Sequence, residues 1–316
     1  MPDPVIIFHD KKGDALRLQK EYQNGTPFTA SPYMGCLFGC RYCYTQGPPF
    51  KFHTEFGKEV KVKTWFPEQV DKELQKYGVL PQHLKRVQIN EACEYYIPEV
   101  LAKMDAELHR DIMAEILRVF RRHWDNGNKW MLHIVTKSPL ITRHLDLLAS
   151  MRDMVQVEVT LICLDESKRR SVEPSASSVE TRLGAIRQLS EAGIFVRIMA
   201  MPFFGNREDA VELKGKAFEM GARAFKHKGL NYFEWDRLVQ DDRSQTGGRE
   251  DQIWTDLLVK SGEPVIRDGH QRMITLLMPN EEWADKAWRR NLETQEVPMV
   301  NFGYAELNEI DWGYIE

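Results

Sequence analysis

Ser31-Pro-Tyr-Met-Gly-Cys36-Leu-Phe-Gly-Cys40-Arg-Tyr-Cys43-Tyr44 is the stretch on which the reading of this chain turns. Three of the chain's five cysteines lie here within eight residues, spaced C-x3-C-x2-C. A disulfide framework needs cysteines in pairs, and three clustered thiols cannot all pair with one another. A zinc site takes four protein ligands, or three and a water. A cubane iron–sulfur cluster has four irons, so three thiolates on a short loop leave one iron with an open position. A small chelating molecule can bind there and be reduced. Gly35 and Gly39 let the backbone of such a loop approach a cluster closely.

The chain around this loop is that of a globular protein. It has 316 residues, 42% hydrophobic and 28% charged, enough for one large domain with a sizeable core. No apolar run approaches the length that crosses a bilayer. The N-terminus, Met1-Pro-Asp-Pro-Val-Ile-Ile-Phe-His9, has neither the basic flank nor the long apolar core of a signal peptide. Five cysteines without a pairing pattern and without an export signal point to a reducing, cytoplasmic compartment. The net charge of −4 gives no global attraction to nucleic acid. It leaves room for a local basic groove, because phosphate contacts depend on a patch.

Strand and helix signals alternate from about residue 28 to 227. Strands are expected at Phe28–Tyr33, Arg86–Asn90, Trp130–Thr136, Val155–Leu164, Ile194–Met201 and Ala222–Lys226. Helices are expected at Phe66–Leu74, Leu108–Trp124, Pro139–Met151, Val179–Ala192 and Arg207–Met220, the last two stopped by Gly193 and Gly221. The apolar run Val5–Phe8 is expected to add a short strand or a cap, and Glu59–Lys63 alternates like an edge strand or ribbon. This pattern gives parallel β/α units. Six strands are too few for a closed eightfold barrel. The fold class is therefore α/β, a partial (β/α)6 barrel, with the chemistry at the C-terminal ends of its strands. The expected organisation is an N-terminal extension over 1–26, the barrel over 27–228 and a C-terminal α+β extension over 229–316. That extension packs on or closes the barrel and includes a helix at Asp251–Ser261.

The cysteine spacing, with Tyr42 and Tyr44 flanking the third cysteine, resembles the radical S-adenosylmethionine (radical SAM) superfamily. Two further stretches are similar to the group within it that contains spore photoproduct lyase and relatives labelled DNA repair photolyases. They are Val135-Thr-Lys137-Ser-Pro through Leu148, and Val172-Glu-Pro-Ser-Ala-Ser-Ser-Val-Glu-Thr-Arg182-Leu-Gly-Ala-Ile through Gly193. The resemblance implies a radical SAM barrel with a 4Fe–4S cluster held by Cys36, Cys40 and Cys43. It implies S-adenosylmethionine on the open iron, cleaved by one electron to a 5′-deoxyadenosyl radical. A reductant such as flavodoxin or ferredoxin supplies that electron.

By the same resemblance Lys137 contacts the carboxylate of S-adenosylmethionine. Arg182 is either a second cofactor contact or a structural partner of Glu173. Thr160 either bonds the ribose or simply packs as a β-branched residue. Glu91-Ala-Cys93 is similar to the lyase segment that carries a hydrogen-donating cysteine, which makes Cys93, Tyr42, Tyr44 and Tyr96 the catalytic candidates, with Tyr95 beside them. The next residues, Glu94-Tyr-Tyr-Ile-Pro98, equally resemble the T-D-x-Y-Q-P stretch of the broader group. After the fifth strand the chain reads Met201-Pro-Phe-Phe-Gly-Asn206 where relatives often read P-x-I-P-G. The resemblance carries the reaction class. For the substrate it leaves three readings open: a DNA lesion, a small molecule or peptide, or a non-catalytic iron–sulfur protein that binds nucleic acid.

Cys163, in an apolar strand, is expected in the core. Lys168–Arg170 together with Lys214, Lys216, Arg223, Lys226, His227 and Lys228 form a candidate basic rim, and Trp235, Trp254 and Trp312 are candidate stacking residues. Charge runs are usually solvated faces, and tryptophans commonly pack.

Overall fold

The computed structural model describes residues 4–18, 28–43, 45, 54–80, 85–90, 92–201, 207–227, 265–267 and 273–275. The chain opens with β1 (Val5–His9), β2 (Leu16–Leu18), β3 (Phe28–Ala30), β4 (Tyr33–Met34) and β5 (Glu59–Lys63). Next come α1 (Phe66–Lys76), β6 (Arg86–Ile89), α2 (Pro98–Lys103), α3 (Ile112–Asp125), β7 (Met131–Thr136) and α4 (Leu145–Ser150). After these stand β8 (Val155–Thr160), α5 (Glu166–Val172), α6 (Val179–Glu191), β9 (Phe195–Ala200), α7 (Arg207–Glu219) and β10 (Ala224–His227). β11 (Val265–Arg267) and β12 (Met273–Thr275) make an antiparallel pair.

The main sheet runs β10-β9-β8-β7-β6-β3-β2. The six strands from β3 to β10 pair in parallel, and β2 adds an antiparallel edge to β3. Each parallel strand returns through a crossover, the arrangement the alternating sequence pattern predicts. The sheet is that of a partial (β/α)6 barrel, and its C-terminal strand ends form one rim.

Side chains alternate across a strand, and here the two faces differ sharply. Ile89, Ile134, Val157 and Val196 stand in lateral register on one face. They share a core with Val70 and Leu74 of α1, Ile116 and Phe120 of α3, and Ile186 and Leu189 of α6. The opposite, inner face carries Gln88, His133, Gln156, Glu158 and Arg197, all buried. Glu158 Oε2 accepts from Arg197 Nε at 3.0 Å and lies 2.7 Å from His133 Nε2. A carboxylate removed from water needs such partners.

Helix ends follow local chemistry. Asp111 caps α3 by accepting from Ala114 N at 2.9 Å, Asp165 caps α5, and Ser178 caps α6. Gly193 and Gly221 lie at φ +79° and +95° just past α6 and α7, conformations that suit glycine.

Several expectations need correction. The first strand stops at Ala30, because Pro32 has no N–H for a ladder, and Tyr33–Met34 pair instead with β5. Glu59–Lys63 is not an edge: β5 lies between β1 and β4 in a small sheet of its own. The helix expected from Leu108 starts at Ile112, since Met104–Leu108 form a π turn closed by His109 at φ 50°. Pro139–Met151 divides into a 3₁₀ segment, Pro139–His144, and α4. The strand expected to Leu164 ends at Thr160. β2, α2 and α5 carry no clear periodic signal in so few residues. The expected helix at Asp251–Ser261 and most of 229–316 fall outside the described residues.

Candidate active site

The cysteine loop leaves β4 at the C-terminal rim. Gly35 has φ +82°, and a Cβ there would come within 2.2 Å of Glu59 O, so only glycine fits. Cys43 N donates to Cys40 O at 3.0 Å, which turns the loop. Cys40 is buried, while Cys36 and Cys43 are half-buried. Burial pushes the Cys36 thiol up to about 12 and the Cys40 thiol well above its ordinary value. Such thiols give up their protons only to a strongly binding cation. Among the described residues no three His, Cys, Asp or Glu side chains converge on one metal ion.

One flank of the loop is fastened by α5 and α6. Tyr42, buried, donates its hydroxyl to Glu173 Oε1. Glu173 Oε2 takes Arg182 NH2 at 2.5 Å, and neither residue is exposed. Arg182 Nε donates to Ser177 O at 3.0 Å and NH1 to Thr160 O at 3.0 Å. All three guanidinium nitrogens are therefore engaged within the protein, and the pairing with Glu173 is the arrangement present. Thr160 is fully buried, and its Oγ1 has no hydrogen-bond partner. An orphaned hydroxyl at a strand end on this rim is suited to a ligand.

Lys137 follows β7 directly. Its Nζ lies 5.8 Å from the centroid of the Tyr42 ring. Burial disfavours the ammonium, but the neighbouring Cys40 and the Glu173 carboxylate outweigh that and raise its pKa. The Lys137 backbone N donates to Glu94 Oε2 at 2.7 Å. Glu94 Oε1 also accepts from Thr136 Oγ1 at 2.9 Å, Tyr95 N at 3.0 Å and Tyr96 N at 3.1 Å. Burial raises the Glu94 pKa despite these four donors. Glu94 thus ties the end of β7 to the segment after β6. The sequence offers no spacing signal for this role.

The other flank carries Cys93. The backbone of Phe38 and of Glu94 lies near enough to the Cys36 thiol to offset part of the rise that burial causes, so the segment of Cys93 stands beside the loop. Cys93 is half-buried, and its Sγ donates to Tyr33 O at 3.5 Å. Burial, then the nearby Cys36, pushes its pKa up, and Lys63 opposes them. Tyr96 is fully buried, with its hydroxyl 3.2 Å from His144 Nδ1, and His144 Nε2 lies 2.9 Å from Asp111 Oδ2. Tyr95 packs 4.9 Å from Tyr33, ring to ring, and donates to Ala30 O at 3.4 Å. Asn90, at φ +74° on the same strand end, donates Nδ2 to Val135 O at 2.7 Å. Tyr44 lies outside the described residues. Cys163 is buried with the core, as expected.

The basic rim is only partly a surface. Arg169 turns inward, with NH1 donating to Glu173 O at 2.6 Å and Ala176 O at 2.7 Å. Arg170 pairs with Glu166, and Lys216 with Glu219. The side chains of Lys226 and His227, and all of Lys228, Trp235, Trp254 and Trp312, fall outside the described residues.

The sequence model of the Radical SAM superfamily matches residues 30–214, which hold the cysteine loop, the rim and the barrel strands up to β9. The chain belongs to the radical SAM superfamily. This is an enzyme superfamily whose cofactors are a 4Fe–4S cluster and S-adenosylmethionine. An uncharacterized protein of Acidianus two-tailed virus is 25% identical over 187 residues, 57% of this chain and 58% of that one. One of Methanocaldococcus jannaschii is 25% identical over 172 residues, 54% of this chain and 58% of that one. The match therefore spans less than two thirds of the length of these relatives. A cysteine-to-alanine variant of spore photoproduct lyase, solved with dinucleoside spore photoproduct, superposes with TM-score 0.60 at 14% identity, covering 98% of this chain and 80% of that one. A double variant solved with AdoMet and the same lesion gives 0.58 at 13%, covering 98% and 81%. This likeness is one of fold. The three thiols, the raised Lys137 ammonium and the orphaned Thr160 hydroxyl on one rim fit the superfamily's two cofactors. Among the described residues no helix is long and apolar enough to cross a membrane.

Proposed function

We propose that this protein reductively cleaves S-adenosylmethionine and applies the resulting hydrogen-abstracting radical to a nucleic-acid base lesion, with Cys93 returning a hydrogen atom to the substrate and the thiyl radical left on Cys93 restored to the thiol by one further electron from the reductant and one proton. When bound, the cluster and S-adenosylmethionine would supply one-electron cleavage of a sulfonium C–S bond, yielding methionine and a 5′-deoxyadenosyl radical. Cys36, Cys40 and Cys43 hold the cluster. Lys137 pairs with the methionyl carboxylate as a compact cation, and the Thr160 hydroxyl bonds the ribose. Glu94 keeps Lys137 and the Cys93 segment in register. The barrel excludes water from the reacting atoms. The electron comes from a ferredoxin- or flavodoxin-type reductant.

The observation that carries this reading is the placement of Cys93. It stands beside the Cys36 flank with its S–H donated to the Tyr33 carbonyl, and burial pushes its pKa up. A protonated thiol is a hydrogen-atom donor, whereas a thiolate is a nucleophile. The lesion-bearing substrate is supported by the resemblance around Cys93 and by the fold shared with spore photoproduct lyase.

The test is an anaerobic assay of the reconstituted full chain with dithionite, S-adenosylmethionine and dinucleoside spore photoproduct. The proposal expects 5′-deoxyadenosine and repaired dinucleoside. Deoxyadenosine without repair, together with no binding of duplex DNA at low salt, points to a small molecule or peptide instead. A loaded cluster without deoxyadenosine leaves a binding protein.

A further inference from the structure

The segment after α5 does more than end a helix. Arg41 N donates to Val172 O at 2.9 Å and Ser175 N to Phe38 O at 3.4 Å, so the two chain segments lie side by side. Between these links Glu173 takes the Tyr42 hydroxyl on one oxygen and Arg182 on the other. Taking a carboxylate wholly out of water costs several kcal/mol, and a well-packed apolar pair is often as stable. A staple alone would therefore not need a charge. The charge also stands against the ligand loop itself, because the segment that carries it is bonded to Phe38 and Arg41, on either side of Cys40. Lys137 in turn stands over the ring that Glu173 fixes.

We infer that Glu173 is a positioning residue: it holds Tyr42 and, through the Tyr42 ring, Lys137, and its charge sets the reduction potential of the cluster on this loop. The inference rests on reading Cys36, Cys40 and Cys43 as cluster ligands. Net charge and hydrogen bonding around a cluster are the main levers on its potential. A fixed negative charge in a low-dielectric wall opposes an added electron. Tyr42 and Arg182, each giving a hydrogen bond to that carboxylate, draw off part of its effect.

The test is a potentiometric titration of the anaerobically reconstituted full chain, read by electron paramagnetic resonance. No cluster in the wild type removes the reading of the loop, and the role of Glu173 with it. Given a cluster, Glu173→Gln moves the potential to more positive values by about tenfold in the reduction equilibrium, about 59 mV for one electron. Glu173→Asp, which keeps the charge, stays close to the wild type. Tyr42→Phe, a mild change, moves the potential the opposite way by a few-fold, because the carboxylate loses a donor. A Glu173→Gln protein that binds the cluster at an unchanged potential overturns the inference. If that variant does not fold, an unchanged potential in Tyr42→Phe overturns it equally.

Discussion

The two flanks of the cysteine loop are built on opposite plans. On the Cys40 flank, Tyr42, Glu173 and Arg182 are buried and every guanidinium nitrogen of Arg182 is engaged. On the Cys36 flank, Cys93 is half-buried and has one long sulfur contact at 3.5 Å. A saturated network holds its members in a single arrangement. A thiol with a weak bond and partial exposure can reach another molecule. In the proposed function the first flank supports the cofactors, and the second faces the chemistry.

Changes on the two flanks should therefore fail in different ways. The largest effect belongs to the loop itself. Cys40→Ala removes one of three ligands and should abolish the cluster's charge-transfer absorbance after anaerobic reconstitution; a retained cluster would break the assignment. Next is Arg182→Met, which leaves Glu173 buried without its cation. It should cost about 3–5 kcal/mol in urea unfolding, and a loss under about 1 kcal/mol would mean the flank is not the rigid one.

Cys93→Ala sharpens the contrast. It should change stability by only about 1 kcal/mol or less, keep the cluster and keep deoxyadenosine formation, while substrate turnover falls by at least tenfold. Acid should distinguish the flanks as well. The Glu173 carboxyl is buried, which alone would raise its pKa, but Arg182, then Lys137 and Tyr42, hold it below the ordinary 4.5. A depressed carboxylate contributes stability above its unfolded pKa and loses it as pH falls through the folded one. The wild type should therefore lose stability below about pH 4.5, and Glu173→Gln should show a shallower acid limb. The smallest effect is expected at Tyr96→Phe. Loss of its bond to His144 should cost about 1 kcal/mol, with deoxyadenosine formation unchanged.

Much of this architecture is legible in the sequence. The apolar runs of β7 and β9 mark buried parallel strands, and C-x3-C-x2-C marks the loop, because both depend on spacing within a few residues. The inner polar face is harder to see. Val155-Gln-Val-Glu-Val-Thr160 alternates strictly, but its valines dominate an average, and the partners His133 and Arg197 lie on neighbouring strands. Glu94 and the Tyr42–Glu173 bond join segments 43 and 131 residues apart. No local period predicts such contacts. Pro32 shows the converse: the missing N–H that ends the first strand is written in the sequence, yet the shift of Tyr33 to another sheet depends on where β5 lies.

The most direct test of the account is the yield of 5′-deoxyadenosine from S-adenosylmethionine and dithionite, measured side by side for the wild type, Cys40→Ala and Cys93→Ala. The account predicts formation by the wild type and by Cys93→Ala, and none by Cys40→Ala. A wild-type protein carrying a full cluster that yields no 5′-deoxyadenosine would contradict it.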